Sequence, residues 1–223
     1  MQPLISVIVP TFNRAKTIGR TIDSLLIQTY NNLEIIVVED GSKDETFKIL
    51  ERYEDKRLRI IWHEHNKGVT AAKNTGLNNI NGEWFTILDS DDEIIPEALE
   101  TLIKVPLEKD STVTAVLCNC SDISTGNFTG KGLDMDQYVD FKTLVVNCHG
   151  EFWGITKSTL LQQDRFNERL LGYESTLWYK IDTRAKRYYL HKGLRIYHTD
   201  GTDRITSIVE HISLKKEIGR AHV

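Results

Sequence analysis

Through about residue 118 the chain alternates short apolar runs with stripes of apolar residues spaced three and four apart. Ile5-Ser6-Val7-Ile8-Val9-Pro10 is the first run, and others lie at 33–38, 58–62, 84–88 and 113–118. Runs of this length, rich in β-branched residues, predict buried strands. Between them, Ile18, Ile22, Leu25 and Leu26 share one side of a 3.6-residue period, as do Thr46, Ile49, Leu50 and Tyr53. Val69, Ala72, Gly76, Leu77 and Ile80 form a third stripe, and Leu99, Leu102 and Ile103, after Pro96, a fourth. Each stripe predicts a helix with one buried face. Regular alternation of strand and helix predicts an α/β fold with a parallel, doubly wound sheet.

After Cys118 the rhythm breaks. Residues 121–132, rich in Gly, Ser, Thr and Asn, predict a loop or hairpin. A helix is expected around 136–146, a strand at 152–155, a helix at 174–186 and a strand at 194–197. With no repeat and no interdomain linker, the second half is expected to complete the same sheet. Residues 1–217 are read as one domain with halves at 1–118 and 119–217. Residues 218–223 match one reading frame of a common sequencing adapter, which predicts a non-native tail and a native chain that continues.

Composition narrows the function classes. The 223 residues are 40% hydrophobic and 27% charged, as in an ordinary globular domain. A net charge of -4 argues against nucleic acid as the main partner. Cys118, Cys120 and Cys148 make neither a zinc set nor a disulfide framework and read as thiols of a reducing compartment. With no run of some 18 apolar residues and no signal peptide, the expected location is cytoplasmic, with docking at the inner face of the membrane left open.

The chemistry concentrates where strands end. Asp89-Ser90-Asp91-Asp92 directly follows the run at 84–88. Carboxylates gathered there repel one another, and a hard divalent cation relieves that repulsion using one or two carboxylates plus substrate phosphates. The second run ends in Glu39-Asp40-Gly41-Ser42, acids suited to a base N–H or a ribose hydroxyl rather than a phosphate. Asp44 suits a helix cap. The first run exits into Pro10-Thr11-Phe12-Asn13-Arg14, where Thr11 and Asn13 offer polar groups at the ligand edge. Lys73 offers a point charge to a diphosphate, or is simply a solvated helix lysine.

These pieces, in order with Asn66-Lys67-Gly68, Ala72-Lys73-Asn74-Thr75-Gly76 and Gly82-Glu83, resemble the family 2 glycosyltransferases, densely over residues 4–105 and thinly beyond. The resemblance implies a GT-A fold with a Rossmann-like sheet and a mixed acceptor-side portion. It also implies a nucleotide-sugar donor, commonly a UDP-sugar, with Mg²⁺ or Mn²⁺, and inversion at the anomeric carbon. Pro10, Thr11, Asn13, Glu39 and Asp40 would then hold the nucleoside. Asp89 with Ser90 would face the ribose or the metal shell, and Asp91 would bind the metal. Asp92 stays unassigned. Glu39 stands where the family usually has Asp, and Lys73 where Arg is commoner.

In the later segment, Tyr173-Glu174-Ser175-Thr176-Leu177-Trp178 resembles the family's acidic motif before a Trp. Alignment on Leu177-Trp178 makes Glu174 the general base; a shifted alignment puts Ser175 there. His198 would complete the metal shell, and Arg204 would clamp the diphosphate. Trp153 is either an acceptor platform or core. The acceptor would be a glycan or lipid-linked saccharide. The alternatives are a catalytically inactive nucleotide-sugar-binding protein and a phospho-receiver domain. The receiver wants an acidic pair where this chain has Pro10-Thr11-Phe12-Asn13.

Overall fold

The fold comes from a computed structural model that describes residues 2–169 and 175–198. The first half runs β1 (Ile5–Thr11), α1 (Ile18–Leu26), β2 (Leu33–Glu39), α2 (Thr46–Leu50), β3 (Leu58–Trp62), α3 (Val69–Leu77), β4 (Trp84–Ile87), β5 (Glu93–Ile94) and α4 (Ala98–Lys104). A π-helical turn, Val105–Lys109, extends α4. The second half runs β6 (Ala115–Asp122), β7 (Gln137–Val139), α5 (Phe141–Asn147), β8 (Phe152–Lys157), α6 (Ser175–Asp182) and β9 (Arg187–Tyr197).

Among the described residues, nine strands join one sheet in the order β3-β2-β1-β4-β8-β6-β9-β5, with β7 beside β9. The first four strands are parallel, with Ile5 opposite both Leu33 and Trp84. Every residue of β1 is buried, because helices cover both faces of the sheet at its centre. One cluster packs Val7, Val9, Ile22, Leu25, Leu99 and Leu102 together; another packs Ile8, Phe85, Leu77, Leu177 and Ile181. Gly76 lets α3 lie close to β1, since a Cβ there would sit 2.3 Å from Ile8 Cγ2.

The sheet is less uniformly parallel than the first-half pattern predicts. β8 inserts antiparallel between β4 and β6, with Phe85 and Ala115 both opposite Thr156. The fifth predicted strand, now β6, therefore sits away from β4 and runs on to Asp122. The expected helix at 136–146 divides into β7 and α5, because Asp140 accepts from Thr143 N (2.7 Å) and starts the helix there. The expected strand at 194–197 is the end of an eleven-residue strand, whose start is disguised by Arg187, His191 and Lys192.

Candidate active site

β1, β2 and β4 end side by side. Thr11 pairs with Glu39, and Leu88 N donates to Ile8 O at 2.9 Å. The acidic run turns immediately beyond β4, with Asp92 N donating to Asp89 O (3.1 Å). Helix α1 and the residue before it grip this turn by its backbone. Thr17 Oγ1 donates to Ser90 O (2.9 Å), Arg20 Nε to Asp91 O (3.0 Å), and Thr21 Oγ1 to Asp92 O (2.8 Å). Spacings of three and four put these donors on one side of the helix, so three successive carbonyls meet three successive donors.

The carboxylates are sorted from the opposite side by Arg195 of β9, which is 5% exposed. Its Nε donates to Asp92 Oδ2 (2.8 Å), and its Nη2 to Asp89 Oδ2 (2.6 Å) and again to Asp92 Oδ2. Asp92 also accepts from His198 N (2.9 Å) and is fully buried. The residue left unassigned by sequence is thus the internal anchor of the turn. Asp89, with a half-exposed side chain, opposes burial with the charges of Arg195, Lys73 and Arg14, which hold its carboxyl below the usual range. Burial and the negative charge of Asp89 push the Asp91 carboxyl up.

At the β1 and β2 exits the polar groups largely build the loops. Glu39 accepts from Gly41 N (3.2 Å) and Ser42 N (2.7 Å). Gly41 has φ +71°, and a Cβ there would stand 2.6 Å from the His65 backbone. Asn13, at φ +52°, receives Lys43 N on Oδ1 and donates its own N–H to Ser42 Oγ. Asp44 stands one residue before the N-cap Glu45, so it does not cap α2 as expected; it accepts from Thr46 N and from Ala15 N, which closes the turn into α2 and ties it to the β1 exit. Asp40 accepts from Lys67 N (2.9 Å) and Gly68 N (2.8 Å) and pairs with His63 Nδ1 (2.6 Å). A carboxylate offers about four acceptor positions, so one remains for a ligand donor. Thr11 follows Pro10 at the strand end. Its hydroxyl is buried without a hydrogen-bond partner among the described residues.

Asp40→Ala is expected to strand His63 and two backbone N–H groups, lowering stability by roughly 2–4 kcal/mol. Urea unfolding measures this; an unchanged midpoint would refute the clamp.

Lys73, nearly buried on α3, lies 5.8 Å from the Phe166 ring centre. Beside it, Asn74 accepts from Phe166 N (2.9 Å) and donates to Phe166 O and Glu168 Oε1. Asn74 therefore pins the segment that leads toward residues 170–174. Lys73, Asp89 and Arg195 share a cavity of about 480 Å³ with Trp153, Trp178 and Asp182. Trp153 is 4% exposed and donates from Nε1 to Ile87 O (3.0 Å), so its ring is core and wall together.

The metal reading divides. Asp91, raised by burial and by the charge of Asp89 and with no side-chain partner among the described residues, fits a divalent cation. His198 reaches the acid turn through its backbone N–H, but its Nε2 pairs with Glu93 Oε1 (2.7 Å). Among the described residues no three His, Cys, Asp or Glu side chains gather as a metal set. Glu174 and Arg204 lie outside the described residues. Reading the sequence missed Arg195, His63 and the α1 grip. The available signal was a charged residue between Leu194 and Ile196 in a strand.

A family model described as Glycosyl transferase family 2 matches residues 6–169. A GalNAc(5)-diNAcBac-PP-undecaprenol beta-1,3-glucosyltransferase of Campylobacter jejuni is 37% identical over 212 residues, covering 92% of this chain and 67% of that protein. S. aureus TarS 1-349 in complex with UDP-GlcNAc superposes with a TM-score of 0.76 at 25% identity, covering 91% of this chain and 60% of that one. Mannosyltransferase PcManGT of Pyrobaculum calidifontis, in complex with GDP-Man and Mn²⁺, gives a TM-score of 0.63 at 25% identity, covering 86% and 55%. The chain thus spans about two thirds or less of the length of these proteins.

Proposed function

Because this chain belongs to glycosyl transferase family 2, we propose that it transfers a sugar from a UDP-sugar to a hydroxyl of a lipid-diphosphate-linked saccharide, with inversion at the anomeric carbon. The observation that carries this reading is the acid turn. It stands at the ligand edge of the parallel strands, with Asp89 and Asp92 sharing Arg195 and the Asp91 carboxylate left without a side-chain partner among the described residues. Relatives named for an undecaprenol-linked acceptor and for UDP-GlcNAc support the substrate classes.

In this reading the Thr11 hydroxyl and the remaining acceptor position of Asp40 meet the nucleoside, with Pro10, Asn13, Glu39 and Ser90 shaping the walls. Asp91 would hold Mn²⁺ or Mg²⁺, and His198, its imidazole oriented by the pair between Nε2 and Glu93, would join it. When bound, the cation neutralises charge on the departing diphosphate. Lys73 and Arg204 add positive charge toward the same group. Glu174 accepts the proton of the acceptor hydroxyl as that oxygen attacks C1 opposite the diphosphate, and the bond from C1 to the phosphate oxygen breaks. Among the described residues no helix is long and apolar enough to cross a membrane. A lipid-linked acceptor would bring the site to a membrane surface.

Incubation with a panel of nucleotide sugars, Mn²⁺ and a lipid-diphosphate saccharide tests this reading. Release of UDP with a lengthened saccharide is expected. Donor binding without either transfer or hydrolysis would favour the inactive binding protein.

A further inference from the structure

The Arg195 guanidinium is buried in a strand and satisfied by two carboxylates of a loop more than a hundred residues earlier. Buried ion groups of this kind rarely gain stability over well-packed apolar side chains, so their retention asks for another reason. The sheet itself aims this residue. Arg195 lies between Cys120 of β6 and Ile94 of β5, and the pairing of β6 with β9 shifts register between Cys118 and Cys120. Shifts of this type re-aim the side chains that follow. The Tyr197 ring lies 5.7 Å from the guanidinium carbon and covers it further.

Resting on the functional reading above, we propose that Arg195 is a positioning residue for cation and donor binding. It acts through Asp89 and Asp92 rather than by touching the substrate. Its fork spans both carboxylates from one planar group, while α1 holds the three backbone carbonyls of the same turn. The turn is thereby held from both sides before any ligand arrives. Of its three carboxylates, only Asp91 has no side-chain partner among the described residues, and it is the one presented to the cation. A lysine would carry the charge but lacks the fork that reaches two carboxylates together.

The test is calorimetric binding of UDP across a Mn²⁺ titration, for wild type, Arg195→Lys, Asp89→Asn and the double variant. Arg195→Lys is expected to need about tenfold more Mn²⁺ for half-maximal UDP binding, the loss of one well-placed charged hydrogen bond. Its kcat at saturating Mn²⁺ and donor is expected to stay close to wild type. Because part of the Arg195 effect runs through Asp89, the double variant should lose less than the product of the two single effects.

An unchanged Mn²⁺ requirement in a folded Arg195→Lys would overturn the proposal, and so would effects that multiply in the double variant. If Arg195→Lys does not fold, Arg195→Gln takes its place. If neither folds, Arg195 is needed for the fold itself and the positioning role is rejected. Failure of wild type to bind UDP with Mn²⁺ would instead sink the donor assignment on which the proposal rests.

Discussion

Asp91→Asn is expected to abolish turnover, by on the order of 10³-fold, while making the ligand-free protein more stable. The two effects have one cause. Burial and the negative charge of Asp89 raise the Asp91 carboxyl above its ordinary range. The folded protein therefore holds that proton more tightly than the unfolded chain does. Below the unfolded pKa the group costs nothing; as pH rises through the folded pKa the ionised form becomes a full penalty on the fold. At neutral pH, Asn removes that penalty while keeping the shape. In chelator-treated protein the unfolding midpoint should rise in the variant. Adding Mn²⁺ and UDP should raise it in wild type alone, because only the ionised carboxylate gains from the cation. A variant that keeps turnover, or that loses stability at neutral pH in chelator, would refute this role for Asp91.

The second large effect is expected at Glu174. Glu174→Gln removes the proton acceptor and keeps the side-chain length, and general-base removal costs about 10²–10⁴-fold in rate. Because the base meets the acceptor and not the nucleotide, UDP-sugar binding should stay near normal. Glu174→Asp shortens the arm but preserves the chemistry, so it should recover part of the rate. The competing alignment puts Ser175 in this position and expects Ser175→Ala to be the inactive variant. Rate measurements on both, with donor affinity measured separately, decide between them.

Much of this was legible in the chain. β1 to β4 and their helices are local objects, each marked by its own run or stripe of apolar residues, and all were read from the pattern. The acid turn was legible for the same reason: a carboxylate run directly after a buried strand is a local signal. β8 was legible as a strand but not as β4's antiparallel neighbour, because pairing joins segments far apart in the chain. Loop architecture was hidden too. Asp40 reads as a ligand acid, yet three of its acceptor positions go to His63, Lys67 and Gly68, partners supplied by other loops.

The acid turn shows the division most clearly. By itself the sequence determined that carboxylates stand where parallel strands end, and the order of motifs determined the family. Only the tertiary structure decided how the carboxylates are paired. Arg195 takes Asp92 and Asp89, and the Asp91 carboxylate has no side-chain partner among the described residues. Local pattern carries burial, since burial follows from the period of apolar positions. The sharing of charges follows from which strands lie side by side, and no run of neighbouring residues records that.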